Sequence, residues 1–104
     1  MNEPNNKFYI DEIRRKAMPI LKEAGVTKSS VFGSVARGEE DNNSDIDILI
    51  DFERKMTLLD LVGLQQDLES ALGRAVDLVT RRALYPPLRN LIEREEVSIY
   101  VKSL

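Results

Sequence analysis

The segment D-I-D-I-L-I-D-F, residues 45–52, is the feature that most constrains how this chain can fold. Side chains alternate between the two faces of a β-strand, so four apolar residues share one face and must be buried: Ile46, Ile48, Ile50 and Phe52. The opposite face carries Asp45, Asp47, Leu49 and Asp51. Asp45 and Asp47, the acidic pair, therefore point the same way about 6.6 Å apart, a spacing at which two carboxylates can flank a cation.

Three other segments have the apolar spacing of helices. The first runs from Ile10 to a stop at Gly25, and Pro19 inside it predicts a kink or two short helices. The second opens with a capping box of Thr57 and Asp60, and its apolar stripe is expected to be core: Leu58, Leu61, Val62, Leu64, Leu68 and Leu72. The third begins at two consecutive prolines, and its inner side is expected to hold Leu88, Leu91 and Ile92.

Three short strands are expected beside the acidic one, over residues 26–32, 75–80 and 98–101. Residues 34–38 have the pattern of a single helical turn closed by glycine. Residues 39–43 are entirely polar and predict an exposed loop. The chain is therefore expected to mix helices and strands along its whole length.

Composition narrows the chemistry that these elements can support. The 104 residues contain no cysteine and no histidine, which excludes disulfides, thiolate nucleophiles and zinc sites built on those residues. Any metal must be held by oxygen ligands, which favours a hard ion such as Mg2+. The formal net charge of -3 is opposite in sign to that of a chain that grips nucleic acid by its phosphates, so direct nucleic-acid binding is not expected.

Length and the polar N-terminal segment bear on domain organisation and location. A chain of 104 residues is expected to form a single domain over residues 1–104, with residues 1–7 as a frayed leader. The leader lacks the apolar core of a signal peptide, and no run approaches the ~20 apolar residues that span a bilayer. We therefore expect a cytoplasmic protein with no membrane partner.

Asp77 is the candidate for a third acid beside the acidic pair. Asp51 shares their face but lies about 13 Å beyond Asp47, which is too far to join them. Neighbouring strands run about 4.8 Å apart, so strand pairing could bring Asp77 alongside. Such a cluster repels itself unless a cation offsets the charge. The structural alternative is that Asp77 is satisfied by Arg74 or Arg81.

The Gly33-Ser34 turn lies ahead of the acidic pair and suits a phosphate. Gly33 lets the backbone approach a phosphate closely, and Ser34 offers a hydroxyl donor at the start of a helical turn. Arg37 is expected either to add a charge-assisted contact to a ligand or to brace an acid of the site. The P-loop pattern G-x-x-x-x-G-K-[ST] is absent, which excludes that class of NTPase.

Together these residues resemble the minimal nucleotidyltransferases of the DNA polymerase β superfamily. Residues 33–47 match the family motif G-S-x-A-R-G-x5-S-D-x-D without a gap, at Gly33, Ser34, Ala36, Arg37, Gly38, Ser44, Asp45 and Asp47. The later strand with a single acid, Val76-Asp77-Leu78, fits the same pattern. The resemblance extends from the first helix to the final strand.

The resemblance implies an α+β fold of the polymerase β type, in which helices pack on a small mixed β-sheet. It also implies two Mg2+ ions on three aspartates and transfer of a nucleoside monophosphate from an NTP to a hydroxyl. Asp45 and Asp47 would bind metal and triphosphate. Asp77 would bind the catalytic metal and help to deprotonate the attacking hydroxyl.

The other motif residues and the partner also follow from the resemblance. Gly33 and Ser34 would hold the phosphates, and Arg37 and Ser44 match nucleotide-binding positions of the motif. Members of this family are often antitoxins paired with a HEPN-domain ribonuclease toxin, which some of them silence by AMP transfer onto a tyrosine.

The leading hypothesis is a Mg2+-dependent enzyme that moves AMP from ATP to a hydroxyl of a HEPN toxin, as the antitoxin of a type VII-like pair. One alternative is a binding module that neutralises the toxin by covering it, with a vestigial nucleotide site. Another is nucleotidyl transfer to a small molecule such as an aminoglycoside, or to an RNA end. A binding module has no need of mutually repelling carboxylates, so the intact acid set favours the enzyme.

Overall fold

The computed structural model describes residues 6–39 and 44–103. In chain order the elements are α1 (Asn6–Ala24), β1 (Val26–Phe32), α2 (Gly33–Arg37), β2 (Ile46–Phe52), α3 (Leu58–Leu72), β3 (Val76–Thr80), a 3-10 turn (Arg81–Ala83), α4 (Pro86–Glu95) and β4 (Val97–Val101). The predicted leader lies outside the described residues up to position 5, whereas Asn6 and Lys7 already belong to α1. Most of the predicted loop, residues 40–43, also lies outside them.

The four strands form one mixed sheet in the order β3-β2-β1-β4. Strand β1 runs antiparallel to both β2 and β4, whereas β2 and β3 are parallel. Along the chain, the short α2 and the segment after it connect the antiparallel strands β1 and β2. The parallel strands β2 and β3 are connected through α3, because parallel strands need a crossover. The prediction of an α+β fold with a small mixed sheet is confirmed.

One face of the sheet carries the larger hydrophobic core. Helices α1 and α3 cover this face, and Ile46, Ile48 and Ile50 of β2 are fully buried beneath them. Phe52, the last of the predicted inward residues, is only partly buried because it stands at the end of the strand. The period-two pattern of β2 therefore predicted its buried face correctly.

The opposite face of the sheet carries a second, smaller core. Leu49 is fully buried there against Leu84 and Ile92, and Phe32 and Val79 pack around the three. The sequence placed Leu49 on the face of the acids but gave no reason for its burial. Helix α4 supplies that reason, because it lies on this face and covers the sheet beside the acids.

Helix α1 is a single helix with Pro19 inside it, so of the two expected outcomes, a kink or two short helices, the second is wrong. Pro19 is exposed, whereas Ala17 and Leu21 on either side of it are fully buried. Packing of these flanking residues holds the helix together across the missing backbone donor.

The apolar stripes of α3 and α4 are less buried than predicted. In α3, Leu64 and Leu68 belong to the core, but Leu58 is 77% exposed and Val62 is 43% exposed. The predicted Thr57/Asp60 capping box closes the first turn of α3, which is where Leu58 lies. In α4, Ile92 is buried, whereas Leu88 and Leu91 are exposed at 44% and 57%.

Arg81 joins the end of β3 to β2 and to the end of α4. Its guanidinium lies 3.0 Å from Asp51 Oδ1, 3.0 Å from Glu93 Oε2 and 3.0 Å from Glu96 Oε1. These bonds satisfy Asp51, the acid of β2 that is too distant to join the acidic pair. Among the described residues, no helix is long and apolar enough to cross a membrane.

Candidate functional site

Strand register places two of the predicted acids side by side. Asp47 of β2 pairs with Asp77 of the parallel strand β3, so both side chains leave the same face of adjacent strands about 4.8 Å apart. Asp45 lies just ahead of β2, which begins at Ile46 rather than at the predicted Asp45. Asp47 is half-buried, whereas Asp45 and Asp77 are exposed. All three carboxylates therefore lie at one end of the β2/β3 pair.

Asp47 is the electrostatic centre of this group. Burial, the negative charges of Asp77 and Asp45 and, to a smaller extent, that of Glu95 together raise the pKa of its carboxyl to about 6. The positive charge of Arg37 acts in the opposite direction. Asp77 and Asp45 are thus close enough to Asp47 to disfavour its charged form.

Gly33 is packed directly against Asp47. It follows Phe32, which pairs with Asp47 across β1 and β2, and its φ of +72° favours glycine. A Cβ atom at this position would lie 3.1 Å from Asp47 Cγ and would collide with Asp47 Oδ2. The sequence assigned the glycine to close approach of a phosphate, but the described contact that requires it is the neighbouring carboxylate.

The Gly33–Arg37 turn is held by an acid that the sequence did not identify. The Gly33 N–H donates to Glu95 Oε2 at 2.9 Å, and Arg37 Nη1 donates to Glu95 Oε1 at 2.9 Å. Arg37 also donates to Glu39 at 3.0 Å. The bond to Glu39 and, to a smaller extent, the bond to Glu95 raise the pKa of Arg37. Of the two roles considered for Arg37, bracing acids is the one that the described contacts support.

Ser34 is the hydroxyl next to this group. It is half-buried in α2, and within the described residues its hydroxyl makes no hydrogen bond. A hydroxyl that has no partner among the described residues can donate to an anionic ligand.

Ser44 is held through its backbone. Its carbonyl accepts a hydrogen bond from Arg74, whose guanidinium also donates to the Tyr9 hydroxyl at 2.8 Å and lies 5.9 Å from the centre of that ring. This bond fixes the peptide immediately ahead of Asp45. In the part of the chain that the structure describes, neither Arg74 nor Arg81 forms an ion pair with Asp77, so the structural alternative for that acid finds no support.

The donor chemistry of the acids fits a hard cation. The three carboxylates offer only oxygen donors, and the pKa of Asp47 is raised by burial and by the charges of the other two acids. Such a group favours a cation that offsets the repulsion. Over residues 6–39 and 44–103, however, no three acidic side chains are arranged to coordinate a single ion as they stand. The structure thus places the predicted acids near one another, but their side chains do not form a complete coordination shell within the described residues.

Glu95 is the site residue that sequence reasoning missed. It lies 48 positions after Asp47, in the charged run Glu93-Arg94-Glu95-Glu96 at the end of α4. Nothing in the local pattern distinguishes it from its neighbours, which lie in a solvated or ion-paired environment. Only the docking of α4 beside α2 reveals it.

A sequence model of the nucleotidyltransferase domain matches residues 14–100. The chain belongs to the nucleotidyltransferase domain family. The matched region includes the Gly33 turn, the acidic pair and Asp77. The prediction that the chain is a nucleotidyltransferase is confirmed.

Known relatives agree with this assignment. A protein of Methanocaldococcus jannaschii with the provisional name protein adenylyltransferase is 47% identical over 90 residues, which cover 86% of this chain and 97% of that protein. A solved structure described provisionally as a minimal nucleotidyltransferase is 43% identical, with a TM-score of 0.73 over 81% of this chain and 86% of that one. A crystal structure of a toxin–antitoxin pair with AMP-PNP matches with a TM-score of 0.76 at 26% identity, over 86% of this chain and 73% of that one. The resemblance to minimal nucleotidyltransferases is therefore confirmed.

The raised pKa of Asp47 predicts how the stability of this nucleotidyltransferase changes with pH when no divalent cation is present. The folded-state pKa of about 6 exceeds the ordinary value of 3.8, so the folded protein holds this proton more tightly. The resulting stabilisation is full below pH 4 and is lost as pH rises through 6. After allowance for solvent screening of a half-buried carboxylate, the loss is about 1–2 kcal/mol.

Asp47→Asn removes this titration. In EDTA, the variant is expected to be about 1–2 kcal/mol more stable than the wild type above pH 7, and the difference should shrink towards pH 4. Urea unfolding of both proteins across this range measures the difference. A difference that stays constant with pH would contradict the prediction.

Proposed function

We propose that this chain transfers AMP from ATP to a hydroxyl of a partner protein. The observation that carries the proposal is the register of β2 and β3, which sets Asp47 beside Asp77 while Gly33 packs the adjacent turn on Asp47. The relative with the provisional name protein adenylyltransferase supports a protein acceptor. Its identity of 47% extends over most of both chains.

We further propose that the acceptor is a HEPN-domain ribonuclease toxin, with this chain as its antitoxin. The toxin–antitoxin structure that holds AMP-PNP supports the pairing of this fold with a toxin and a nucleotide. In this proposal the chain acts as a single domain in the cytoplasm. Neutralisation then follows from covalent modification of the toxin.

Each acid has a role in the proposed transfer. The acceptor oxygen bonds to the α-phosphorus of ATP, the bond to the β-phosphate breaks, and pyrophosphate leaves. Asp77, exposed at the sheet edge, accepts the proton of the attacking hydroxyl. Asp45 and Asp47 lie beside it at the place where the triphosphate must bind. Their negative charges alone would repel that ligand.

The three aspartates would hold Mg2+, the hard ion that fits a donor set of carboxylate oxygens without histidine or cysteine. When bound, Mg2+ supplies positive charge that offsets the acids and the developing charge on the phosphates. Raising the Mg2+ concentration is therefore expected to stabilise the wild-type fold.

The remaining motif residues would contact the nucleotide. The Ser34 hydroxyl, with no hydrogen bond inside the described structure, donates to a phosphate oxygen. Arg37 and Ser44 are proposed to contact the nucleotide, Arg37 at the far end of the turn and Ser44 just ahead of Asp45. Gly33 contributes by letting the turn lie against Asp47.

The test is a transfer assay. The purified chain is mixed with the protein that the adjacent gene encodes, Mg2+ and ATP labelled at the α-phosphate. We expect label on a hydroxyl side chain of the partner and background signal for the double variant Asp45→Asn/Asp47→Asn. Parallel reactions offer an aminoglycoside and an RNA as acceptors.

The outcomes separate the competing functions. If the wild type labels no acceptor, or if the double variant labels the partner equally well, the enzymatic proposal is wrong. Label that appears only on the RNA or on the aminoglycoside would move the acceptor to that class. A double variant that protects cells from the toxin as fully as the wild type would instead favour neutralisation by binding.

A further inference from the structure

A single carboxylate, that of Glu95, spans both ends of the short helix α2. Its Oε2 accepts from the N–H of Gly33, the first residue of α2, and its Oε1 accepts from the guanidinium of Arg37, the last. Both distances are 2.9 Å. Hydrogen bonds to an ionised carboxylate are about twice as strong as neutral ones. Helix α4 thereby clamps the whole turn through its last residue.

The Glu95 carboxylate lies in an unfavourable electrostatic environment. Glu95 is close enough to Asp47 for its charge to contribute to the raised pKa of that carboxyl. Its side chain is also only 23% exposed, so water screens the charge poorly. A fourth acid beside three others costs stability unless its bonds to Gly33 and Arg37 offset the repulsion.

The two hydrogen bonds of Glu95 restrain Gly33 and Arg37. With its N–H bonded to Glu95, the peptide of Gly33 cannot rotate away from Asp47, against which its Cα is packed. The same carboxylate holds the Arg37 guanidinium close enough to lower the pKa of Asp47. The position of the next residue, Ser34, follows from that of Gly33. Glu95 thus sets the turn and the half-buried acid in one fixed arrangement.

We propose that Glu95 is a positioning residue of the nucleotide site, which acts through Gly33 and Arg37. The proposal rests on the proposed function, since the turn it holds is the one assigned to the phosphates. Because the Gly33 N–H already donates to Glu95, we assign phosphate binding in this turn to the Ser34 hydroxyl. Misplacement of a binding group by about 1 Å can cost about a hundredfold in rate.

Glu95→Ala and Glu95→Gln test the inference. Alanine removes both acceptors, whereas glutamine keeps one and presents an amide N–H to the other donor. We expect about tenfold weaker binding of AMP-PNP with Mg2+ for alanine and an intermediate loss for glutamine, measured by calorimetry. In the transfer assay, the KM for ATP should rise by a similar factor, with a smaller change in kcat.

The matched control is Glu93→Gln. Glu93 lies on the same helix and also forms an ion pair, 3.0 Å from Arg81, but not with the turn. This variant should bind nucleotide like the wild type. Circular dichroism melting identifies any variant that is not folded, and Glu95→Gln, which is isosteric, decides the result if Glu95→Ala does not fold.

A double-mutant cycle tests whether Glu95 acts through Arg37. If Glu95 acts through Arg37, then Glu95→Gln should weaken AMP-PNP binding less in an Arg37→Met background than in the wild type. Additive losses would overturn that route.

The remaining outcomes separate this inference from the proposed function. If the wild type binds AMP-PNP and the Glu95 variants bind equally well, the inference is wrong and the proposed function stands. Tighter binding by the variants would also overturn it, because Glu95 would then compete with the triphosphate for the turn. If the wild type binds no nucleotide, the proposed function fails, and the inference fails with it.

Discussion

Asp77→Asn is expected to reduce AMP transfer by about a thousandfold, the range in which a catalytic base contributes. Asp77 is exposed on the edge strand β3, and in the described structure it forms no ion pair with Arg74 or Arg81. Its charge raises the pKa of Asp47, so removing that charge should leave stability unchanged or increase it at neutral pH. Loss of activity without loss of stability distinguishes a catalytic acid from a structural one.

The experiment compares transfer of labelled AMP with thermal melting in the same buffer. The control is Asp67→Asn, which alters an exposed aspartate of α3, the helix on the opposite face of the sheet. The control should transfer AMP like the wild type. Wild-type transfer by Asp77→Asn, or a melting temperature that falls together with activity, would remove Asp77 from the proposed chemistry.

Gly33→Ala is expected to reduce both stability and activity. The φ of +72° costs alanine about 1–2 kcal/mol, and the new Cβ collides with the Asp47 carboxylate. Together the two effects should cost about 2–4 kcal/mol, a large fraction of the stability of a small domain. Displacement of Asp47 or of the turn should also reduce transfer by about a hundredfold where the protein remains folded.

Gly73→Ala is the matched control for the backbone effect. Gly73 has a nearly identical φ of +69°, but a Cβ there would meet nothing within 4 Å. This variant should lose about 1–2 kcal/mol and keep its activity. Urea unfolding and the transfer assay, both run on the two variants, separate backbone strain from the collision.

A second comparison isolates the collision itself. In an Asp47→Ala background the carboxylate is gone, so Gly33→Ala should cost no more than Gly73→Ala does. Equal costs of Gly33→Ala in the wild-type and Asp47→Ala backgrounds would contradict the packing of Gly33 on Asp47.

Local sequence patterns predicted the structure correctly where the environment of a residue is set by its own helix or strand. The alternation in residues 45–52 correctly placed Ile46, Ile48 and Ile50 in the core. The Thr57/Asp60 capping box and the glycine at the end of α3 are both present, with Gly73 in the left-handed region. These features depend on dihedral angles and on side-chain spacing within a few residues, which the sequence specifies directly.

The same rules failed where burial depends on what another element covers. Leu58 and Leu91 have the spacing of inward residues, yet both are exposed because none of the described elements packs over them. Leu49 was assigned to the face of the acids, yet α4 buries it completely. Periodicity identifies the apolar side of a helix or strand but not how much of it a neighbour reaches.

By itself, the sequence determined the candidate acids, the buried face of β2, the turn ahead of the acidic pair and the family to which the chain belongs. Only the tertiary structure set Asp77 beside Asp47 and Glu95 on the Gly33 N–H. The physical reason is that strand register and helix docking result from packing between segments far apart in the chain. A carboxylate in a charged run therefore reveals its role only once its helix has docked.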